Sequence, residues 1–195
     1  MIEDHIINSI KTKSDLLNNE SLISSIYLAC DVALGAYKSG GKILLAGNGG
    51  SAADSQHIAA ELVGRFRFDR PALPAIALTT DTSILTAVGN DYGYDSIFSR
   101  QLNGLASNND VLIVISTSGN SKNIINAINE LSNENLSKKK IKTIGLLGSS
   151  GGQIKQMVDV PICVPSDKTE HIQEAHIMIS HILCRYIEDS LFSLE

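Results

Sequence analysis

The sequence lacks the features that mark several classes of protein. With 16 basic and 21 acidic residues its net charge is −5, so it has no basic excess with which to neutralise nucleic-acid phosphates. It has no apolar run long enough to cross a bilayer. Residues 1–5 provide neither the basic stretch nor the apolar core of a signal peptide. These absences predict a cytoplasmic protein with no nucleic-acid partner and no membrane partner.

Cysteine is also scarce. Cys30, Cys163 and Cys184 are widely spaced and odd in number, which is unlike a disulfide framework. We expect buried free thiols in a reducing compartment. The chain of 195 residues is long enough to bury a sizeable core as a single domain.

The most informative stretch runs from residue 42 to residue 61. The apolar run 43–46 is typical of a buried parallel strand, and the glycine-rich segment 47–50 then allows positive φ angles and close approach of a ligand. We expect Ser51 to cap the following helix, with Asp54 completing a variant of the capping box and Gly64 ending the helix. The N-terminus of such a helix favours an anion, so the segment predicts a phosphate cradle.

The same helix carries His57 and Glu61, which lie four residues apart and therefore share one face. This spacing suits two metal ligands, or a base with its orienting partner. It is also common in plain surface contacts. The coincidence of the pair with a phosphate cradle favours a functional role.

Residues 1–39 form a long helical arm with a break near Asn18 and Asn19, where Ser21 opens a second helix. The arm carries much apolar surface and needs a partner. Its own sheet and another subunit are both possible partners, and we favour the second, so that the arm is used in oligomerisation.

Residues 40–195 form the α/β core of a single domain spanning residues 1–195. Apolar runs alternate with amphipathic segments, which predicts a doubly wound parallel sheet flanked by helices. The expected strands are 43–46, 75–78, 111–115, 141–147 and 160–164. The expected helices include 97–105, 122–131 and a last one from about residue 168. Regular secondary structure is expected to be interrupted at residues 89–93.

A second candidate phosphate loop follows the strand 111–115. Hydroxyl side chains cluster there, ahead of the helix that begins near residue 122, at the end of a strand where ligands bind in open parallel sheets. They are Ser116, Thr117, Ser118 and Ser121. A helix cap needs only one hydroxyl, so the cluster predicts phosphate contact.

These motifs together resemble the sugar isomerase (SIS) family and, within it, the phosphoheptose isomerases. The resemblance covers essentially the whole chain and rests on the segments 47–51, 56–57, 76–78, 89–91, 115–121 and 171–176 with Glu61 and His181. One departure is His171, where an arginine is common in relatives.

The resemblance implies roles for particular residues. Those implied to bind the substrate are Asn48, Gly49, Gly50, Ser51, Glu61, Asn90, Asp91, Ser116, Thr117, Ser118, Ser121 and Gln173. One zinc ion per subunit is implied at His57, Glu61, Gln173 and His181. Glu61 matches the base of the reaction and His181 the acid. A homotetramer is implied as well.

The implied reaction converts sedoheptulose 7-phosphate to D-glycero-D-manno-heptose 7-phosphate through an enediolate. This aldose–ketose isomerisation opens the synthesis of nucleotide-activated heptose for lipopolysaccharide or capsule. It needs a base that removes a proton α to a carbonyl and an acid that protonates an oxygen. Histidine suits the second role because it titrates near neutral pH, and zinc is a Lewis acid for the enediolate.

Helix geometry constrains the implied metal site. Gln173 and His181 are eight residues apart, a rise of about 12 Å and an offset of roughly 80° on a straight helix. Either the metal lies at the limit of both side chains, or His57 and Glu61 come from a different subunit than the helix 170–187. We therefore expect the site at a subunit interface. His171 and His176 are expected to be exposed or satisfied helix residues.

Two other functions fit parts of the pattern. One is a non-catalytic SIS protein that binds the bacterial replication initiator, but that alternative predicts loss of catalytic groups, whereas Glu61 and His181 are both present. The other is a sugar-phosphate-sensing module of a regulator, which is disfavoured because no DNA-binding segment is recognisable.

Overall fold

A parallel sheet with the strand order β2-β1-β3-β4-β5 forms the centre of the molecule, in a computed structural model that describes residues 1–192. The strands are β1 (Ile43–Gly47), β2 (Ala75–Ala77), β3 (Val111–Ser116), β4 (Lys142–Leu147) and β5 (Val160–Cys163). The α-helices of the described residues are α1 (Ile2–Leu17), α2 (Glu20–Lys38), α3 (Gly50–Val63), α4 (Thr82–Tyr92), α5 (Ile97–Leu105), α6 (Lys122–Glu130) and α7 (Thr169–Phe192). This is the predicted doubly wound fold.

Alternate residues of the strands enter two separate cores. Ile43 and Leu45 of β1 pack in one core with residues of α2, α3 and α7. Leu44 and Ala46 point the other way and pack in a second core with α5 and α6. The central strands β1, β3 and β4 are therefore buried on both faces apart from Lys142, which is why they read as continuous apolar runs rather than alternating ones.

The order of the strands reverses between β1 and β3, because the chain passes outward to β2 and then returns past β1 to β3. Gly47 at the end of β1 pairs in register with Ile115, next to the last residue of β3. The loops that follow the two strands therefore begin side by side. In sheets of this order, ligands bind in the crevice at such a switch point.

Helix ends differ from expectation in three places. Gly49 (φ 57°) is the N-cap of α3, so the expected cap at Ser51 and capping box with Asp54 are wrong. Asn19, not Ser21, caps α2 by accepting a 3.0 Å bond from the Leu22 amide. The expected break at 89–93 is confined to Gly93 (φ 86°), because α4 continues to Tyr92.

The two helices of the N-terminal arm have different surroundings. α2 packs on the sheet, and its Ala29 and Ala33 are buried. α1 instead leaves Ile2, Ile6 and Ile10 more than half exposed. Packing on the chain's own sheet thus applies to α2, whereas the use of the arm in oligomerisation stays a prediction.

The remaining composition-based expectations concern cysteines and membranes. All three cysteines are free; Cys30 and Cys184 are buried as predicted, and Cys163 is partly buried. Burial raises the pKa of Cys30 to about 11 and that of Cys184 to about 12. Within residues 1–192, no helix combines the length and apolar character needed to cross a membrane.

Candidate active site

A pair of asparagines joins the first candidate phosphate loop, the glycine-rich segment 47–50, to α6. The Asn48 and Asn123 side-chain amides donate to each other's oxygens, both at 2.9 Å. The Tyr94 hydroxyl donates a third bond, also of 2.9 Å, to Asn48 Oδ1. Asn123 is only 2% exposed, so the loop is held in place by a buried side chain of α6. Sequence reasoning missed Asn123 and Tyr94, since neither lies in a recognisable motif.

The backbone at the start of α3 is open to a close neighbour. Gly49 turns the chain and Gly50 begins the helix. A Cβ atom at Gly50 would collide with the side-chain amide nitrogen of Gln173. Glycine at this position therefore lets α7 bring Gln173 directly against the N-terminus of α3, where unpaired N–H groups favour an anion.

The hydroxyls of the second loop gather at the N-terminus of α6. The Ser116 and Ser121 hydroxyl oxygens lie 3.1 Å apart, and the Gly119 amide donates to Ser116 Oγ at 3.1 Å. Ser121 is the N-cap residue, yet among the described residues no first-turn amide donates to its side chain. Its hydroxyl is thus not used as a cap. Thr117 is partly buried and Ser118 exposed beside it.

The last two predicted substrate residues lie at the end of α4. Asn90 and Asp91 are exposed, and the Asn90 amide donates to Asp91 Oδ1 at 2.8 Å. Tyr94 follows two residues after the helix and reaches Asn48. This contact brings the end of α4 towards the first loop.

Three of the four predicted metal ligands converge. His57 Nε2 lies 3.1 Å from Glu61 Oε1 and 3.3 Å from His181 Nε2. One ligand atom of each residue lies within 4.8 Å of the others. Ligands at about 2.0 Å from a tetrahedral zinc would be about 3.3 Å apart. Two imidazoles and a carboxylate in this spacing fit a catalytic zinc site, which keeps positions open.

One chain brings this trio together. α3 and α7 lie side by side, so that Gln173 meets Gly50 near the start of α3 and His181 meets His57 farther along. The eight residues from Gln173 to His181 thus match the seven from Gly50 to His57. A second subunit is not required to join His57 to the last helix. Gln173 lies at the phosphate-loop end, and its role as a metal ligand stays a prediction.

A buried ion pair holds the two helices in place at the other end of the trio. Arg70 Nε lies 3.2 Å from Glu188 Oε1. The Arg70 guanidinium also donates to the Glu61 and Leu62 carbonyls at 2.8 and 2.6 Å. Phe66 stacks on the His181 ring with centroids 5.5 Å apart. The sequence offered one signal: Glu188 interrupts the apolar face of the last helix.

His171 and His176, expected to be exposed or satisfied helix residues, are both buried, and each keeps one ring nitrogen unpaired among the described residues. His176 is fully buried; its Nε2 lies 3.1 Å from the Leu147 carbonyl oxygen, and burial lowers its pKa to about 4. His171 is 3% exposed. Within the described residues, neither the His171 nor the His176 Nδ1 has a hydrogen-bond partner. Tertiary packing buries the face of α7 that carries them.

Asp54 lies one turn before His57 on α3. Its carboxyl is partly buried, and Oδ2 has no hydrogen-bond partner in the part of the chain that the structure describes. Burial raises the pKa of this carboxyl, while His57 acts to lower it. Asp54 therefore adds a carboxylate beside the trio rather than a helix cap.

Known proteins are similar to this chain in both fold and sequence. The family model described as SIS domain matches residues 10–148, which places the chain in the SIS-domain class. The chain is 53% identical over 191 residues to the phosphoheptose isomerase of Sulfurimonas denitrificans, covering 98% of this chain and 95% of that protein.

Two solved structures give the same result. The phosphoheptose isomerase from Francisella tularensis matches with a TM-score of 0.89 and 39% identity, over 96% of each chain. That from Neisseria gonorrhoeae matches with a TM-score of 0.87 and 42% identity, over 96% of this chain and 97% of that one. The chain belongs to the phosphoheptose isomerase family.

Proposed function

We propose that this chain is an aldose–ketose isomerase that converts sedoheptulose 7-phosphate to D-glycero-D-manno-heptose 7-phosphate. The observation that carries the proposal is the meeting of two kinds of site along α3. The first phosphate-type loop lies at its N-terminus, and Glu61 lies with His57 and His181 farther along. The family membership and the full-length identity to phosphoheptose isomerases support the same reaction.

Glu61 is the proposed base and His181 the proposed acid. The Glu61 carboxylate removes a proton from C1 of the ketose, which forms the 1,2-enediolate, and a proton is returned at C2. The His181 imidazole donates a proton to the carbonyl oxygen at C2, while the hydroxyl at C1 loses its proton as the aldehyde forms. The C1 hydroxyl proton returns to the His181 imidazole and the proton held by Glu61 goes to C2, so the isomerisation proceeds without net gain or loss of a proton.

The two loops are proposed to hold the phosphate and the sugar chain. Hydroxyls and backbone amides at the N-termini of α3 and α6 bind a phosphate without a basic side chain. Asn48, fixed by Asn123 and Tyr94, orients the sugar. Binding the distant phosphate fixes C1 and C2 relative to Glu61, which lowers the entropy cost of reaching the transition state.

His57, Glu61 and His181 are proposed to hold one zinc ion per subunit, with Gln173 as a fourth ligand on the family resemblance. When bound, zinc supplies a Lewis-acid charge that stabilises the oxygens of the enediolate. The spacing of the trio supports this assignment. The stack of Phe66 on His181 restricts the imidazole to the orientation in which it faces His57.

The proposed assembly is a homotetramer with the active site at a subunit interface. The proposed location is the cytoplasm, where the product of the reaction supplies heptose for lipopolysaccharide or capsule. Support comes from the exposed isoleucines of α1 and from an apolar groove of about 920 Å³ between α1, α2 and α7. Ile6→Glu should lower the sedimentation coefficient, whereas Lys11→Glu on the same helix should not. An unchanged Ile6→Glu particle would remove α1 from the interface.

The reaction is tested by proton NMR of sedoheptulose 7-phosphate in heavy water. We expect aldose with deuterium at C2 for the zinc-loaded wild type, and no turnover for Glu61→Gln. Chelation should abolish turnover, and added zinc should restore it. Gln56→Glu, a change on the same helix next to His57, serves as the control for mere alteration of charge. Absence of turnover in folded, zinc-loaded wild type would refute the proposal.

A further inference from the structure

A second group of imidazole and carboxylate side chains lies where α1 meets α7. His5 belongs to α1, and His171 and Glu174 belong to α7; one ligand atom of each lies within 4.8 Å of the others. His5 Nε2 is 3.7 Å from Glu174 Oε1, and His171 Nδ1 is 3.9 Å from Glu174 Oε2. The centroids of the two imidazole rings are 4.6 Å apart. None of the three residues belongs to the candidate active site.

His171 supplies an independent sign of a ligand. Its side chain is only 4% exposed, and within residues 1–192 its Nδ1 atom has no hydrogen-bond partner. A buried ring nitrogen without a partner is costly, and native structures rarely leave one so. This nitrogen is the atom that faces Glu174, so a metal ion between the two side chains would satisfy it.

Neighbouring residues orient the carboxylate of Glu174. The Ser9 hydroxyl donates a short bond to Oε2, and the Lys13 ammonium donates to the same oxygen at 2.9 Å. The other oxygen, Oε1, is directed to His5. Hydrogen bonds of this kind commonly fix the carboxylates that bind metals. The Lys13 charge opposes that of Glu174, so a cation would bind here more weakly than at His57, Glu61 and His181.

We propose that His5, His171 and Glu174 bind a second divalent metal ion of the class that prefers imidazole, such as zinc. Tetrahedral zinc ligands are about 3.3 Å apart, so the separations of 3.7 and 3.9 Å from His5 and His171 to the Glu174 carboxylate oxygens need to shorten by about half an ångström. The His5 side chain is 52% exposed, which leaves it free to move and gives the ion access from solvent. The bound ion fastens α1 to α7. This inference does not depend on the proposed function.

Zinc stoichiometry tests the site. Metal-depleted protein is dialysed against buffered zinc and the bound metal is counted by mass spectrometry. We expect two equivalents for wild type, one for His5→Gln, one for His57→Ala and none for the double variant. Lys11→Gln, an exposed change on α1, should keep two. The proposal is refuted if His5→Gln binds as much zinc as wild type. It is also refuted if the double variant binds as much zinc as His57→Ala alone.

The variants also separate this site from the active site. His5→Gln should keep the isomerase activity of zinc-loaded wild type, whereas His57→Ala should lose it. If His57 binds no zinc, wild type should still hold one equivalent that His5→Gln removes. Failure of the proposed function and failure of the second site therefore give different numbers of bound zinc ions in wild type and the variants.

Hydrogen exchange tests the fastening of α1. A bound ion should slow amide exchange in α1 several-fold when zinc is added to wild type, and should have no such effect in His5→Gln. His171→Asn, which keeps a polar side chain, should behave like His5→Gln. Equal exchange in α1 with and without zinc in wild type would overturn the proposed role of the ion.

Discussion

Arg70 and Glu188 form a 3.2 Å salt bridge in which the two side chains are only 2% and 1% exposed. Arg70 also binds the carbonyls at the end of α3. The Glu188 carboxylate also accepts hydrogen bonds from the backbone amides of Phe66 and Arg67 at 3.0 and 2.8 Å. The pair therefore ties the end of α3, the loop after it and α7 together, and so sets the distance from Glu61 to His181.

Breaking this pair should destabilise the fold strongly. Arg70→Met leaves the Glu188 carboxylate buried without its counter-charge, and we expect a loss of about 3–5 kcal/mol in the free energy of unfolding. Urea denaturation measures it. Arg67→Met is the control: Arg67 pairs with Asp189 at 3.3 Å, but both side chains are more than 40% exposed, so the loss should stay below about 1 kcal/mol. Equal losses for the two variants would contradict the argument.

Asn123 should act on substrate binding through Asn48. Asn123→Ala removes both bonds of the asparagine pair and leaves the Asn48 amide without its buried partner, so we expect KM for the sugar phosphate to rise about tenfold with a smaller change in kcat. Steady-state kinetics measure the split. Asn126→Ala, which removes only a 3.1 Å bond from an exposed side chain to the Asp95 carbonyl, should leave KM unchanged. A fall in kcat alone would show that Asn123 does not act through binding.

Zinc affinity should rank the proposed ligands. His57→Ala removes an imidazole at the centre of the trio, and we expect at least a hundredfold loss of affinity at that site. Gln173→Ala removes a weaker amide ligand, and we expect a loss of about tenfold to a hundredfold, the range typical when a single supporting contact is lost. Both are measured in the His5→Gln background by competition with a zinc indicator.

The matched control is Gln56→Ala, because Gln56 lies beside His57 but bonds to Thr79. It should bind zinc like its parent. If Gln173→Ala also binds zinc like its parent, Gln173 belongs with the phosphate loop against which its amide lies, and the metal is held by three side chains.

The buried His176 should make stability depend on pH. Its pKa falls from 6.5 in the unfolded chain to about 4 in the folded protein because of burial. Between these values the unfolded chain binds more protons, so the free energy of unfolding should fall as pH drops from 6.5 to 4, by up to about 3 kcal/mol. Above pH 6.5 this contribution is constant. Denaturation at a series of pH values measures it.

A second group titrates in a lower window. Hydrogen bonds from Ser9 and Lys13 lower the pKa of Glu174 to about 2, so its contribution is lost only below about pH 4.5. The range from pH 5 to 6.5 therefore lies above the window in which Glu174 contributes and within that of His176. His176→Gln should flatten the curve in that range. A slope that persists in this variant would assign the dependence to another group.

The arrangement of the fold was largely predictable from the sequence. All five strands lie within two residues of the apolar runs that predicted them, and burial on both faces makes the runs of the central strands β1, β3 and β4 continuous. Helix ends were less predictable. The φ angle of Gly49 moved the cap of α3, and α4 continued through Gly89, since one internal glycine costs a helix only about 1 kcal/mol.

The candidate site was predictable in part. The spacing of His57 and Glu61 and the hydroxyl run after β3 are local, so they could be read directly. His181 entered only through the family resemblance, because 124 residues separate it from His57. Asn123 and the buried pair of Arg70 and Glu188 carried no signal comparable to a motif.

The sequence by itself determined which segments become strands and helices, and which short stretches present glycines, hydroxyls and an i, i+4 pair of ligands. These features depend on neighbours along the chain. Only the tertiary structure decided that α3 and α7 lie side by side, so that His181 meets His57, and that α1 brings His5 to His171. The physical reason is that these contacts depend on how helices pack against a sheet, which no local periodicity specifies.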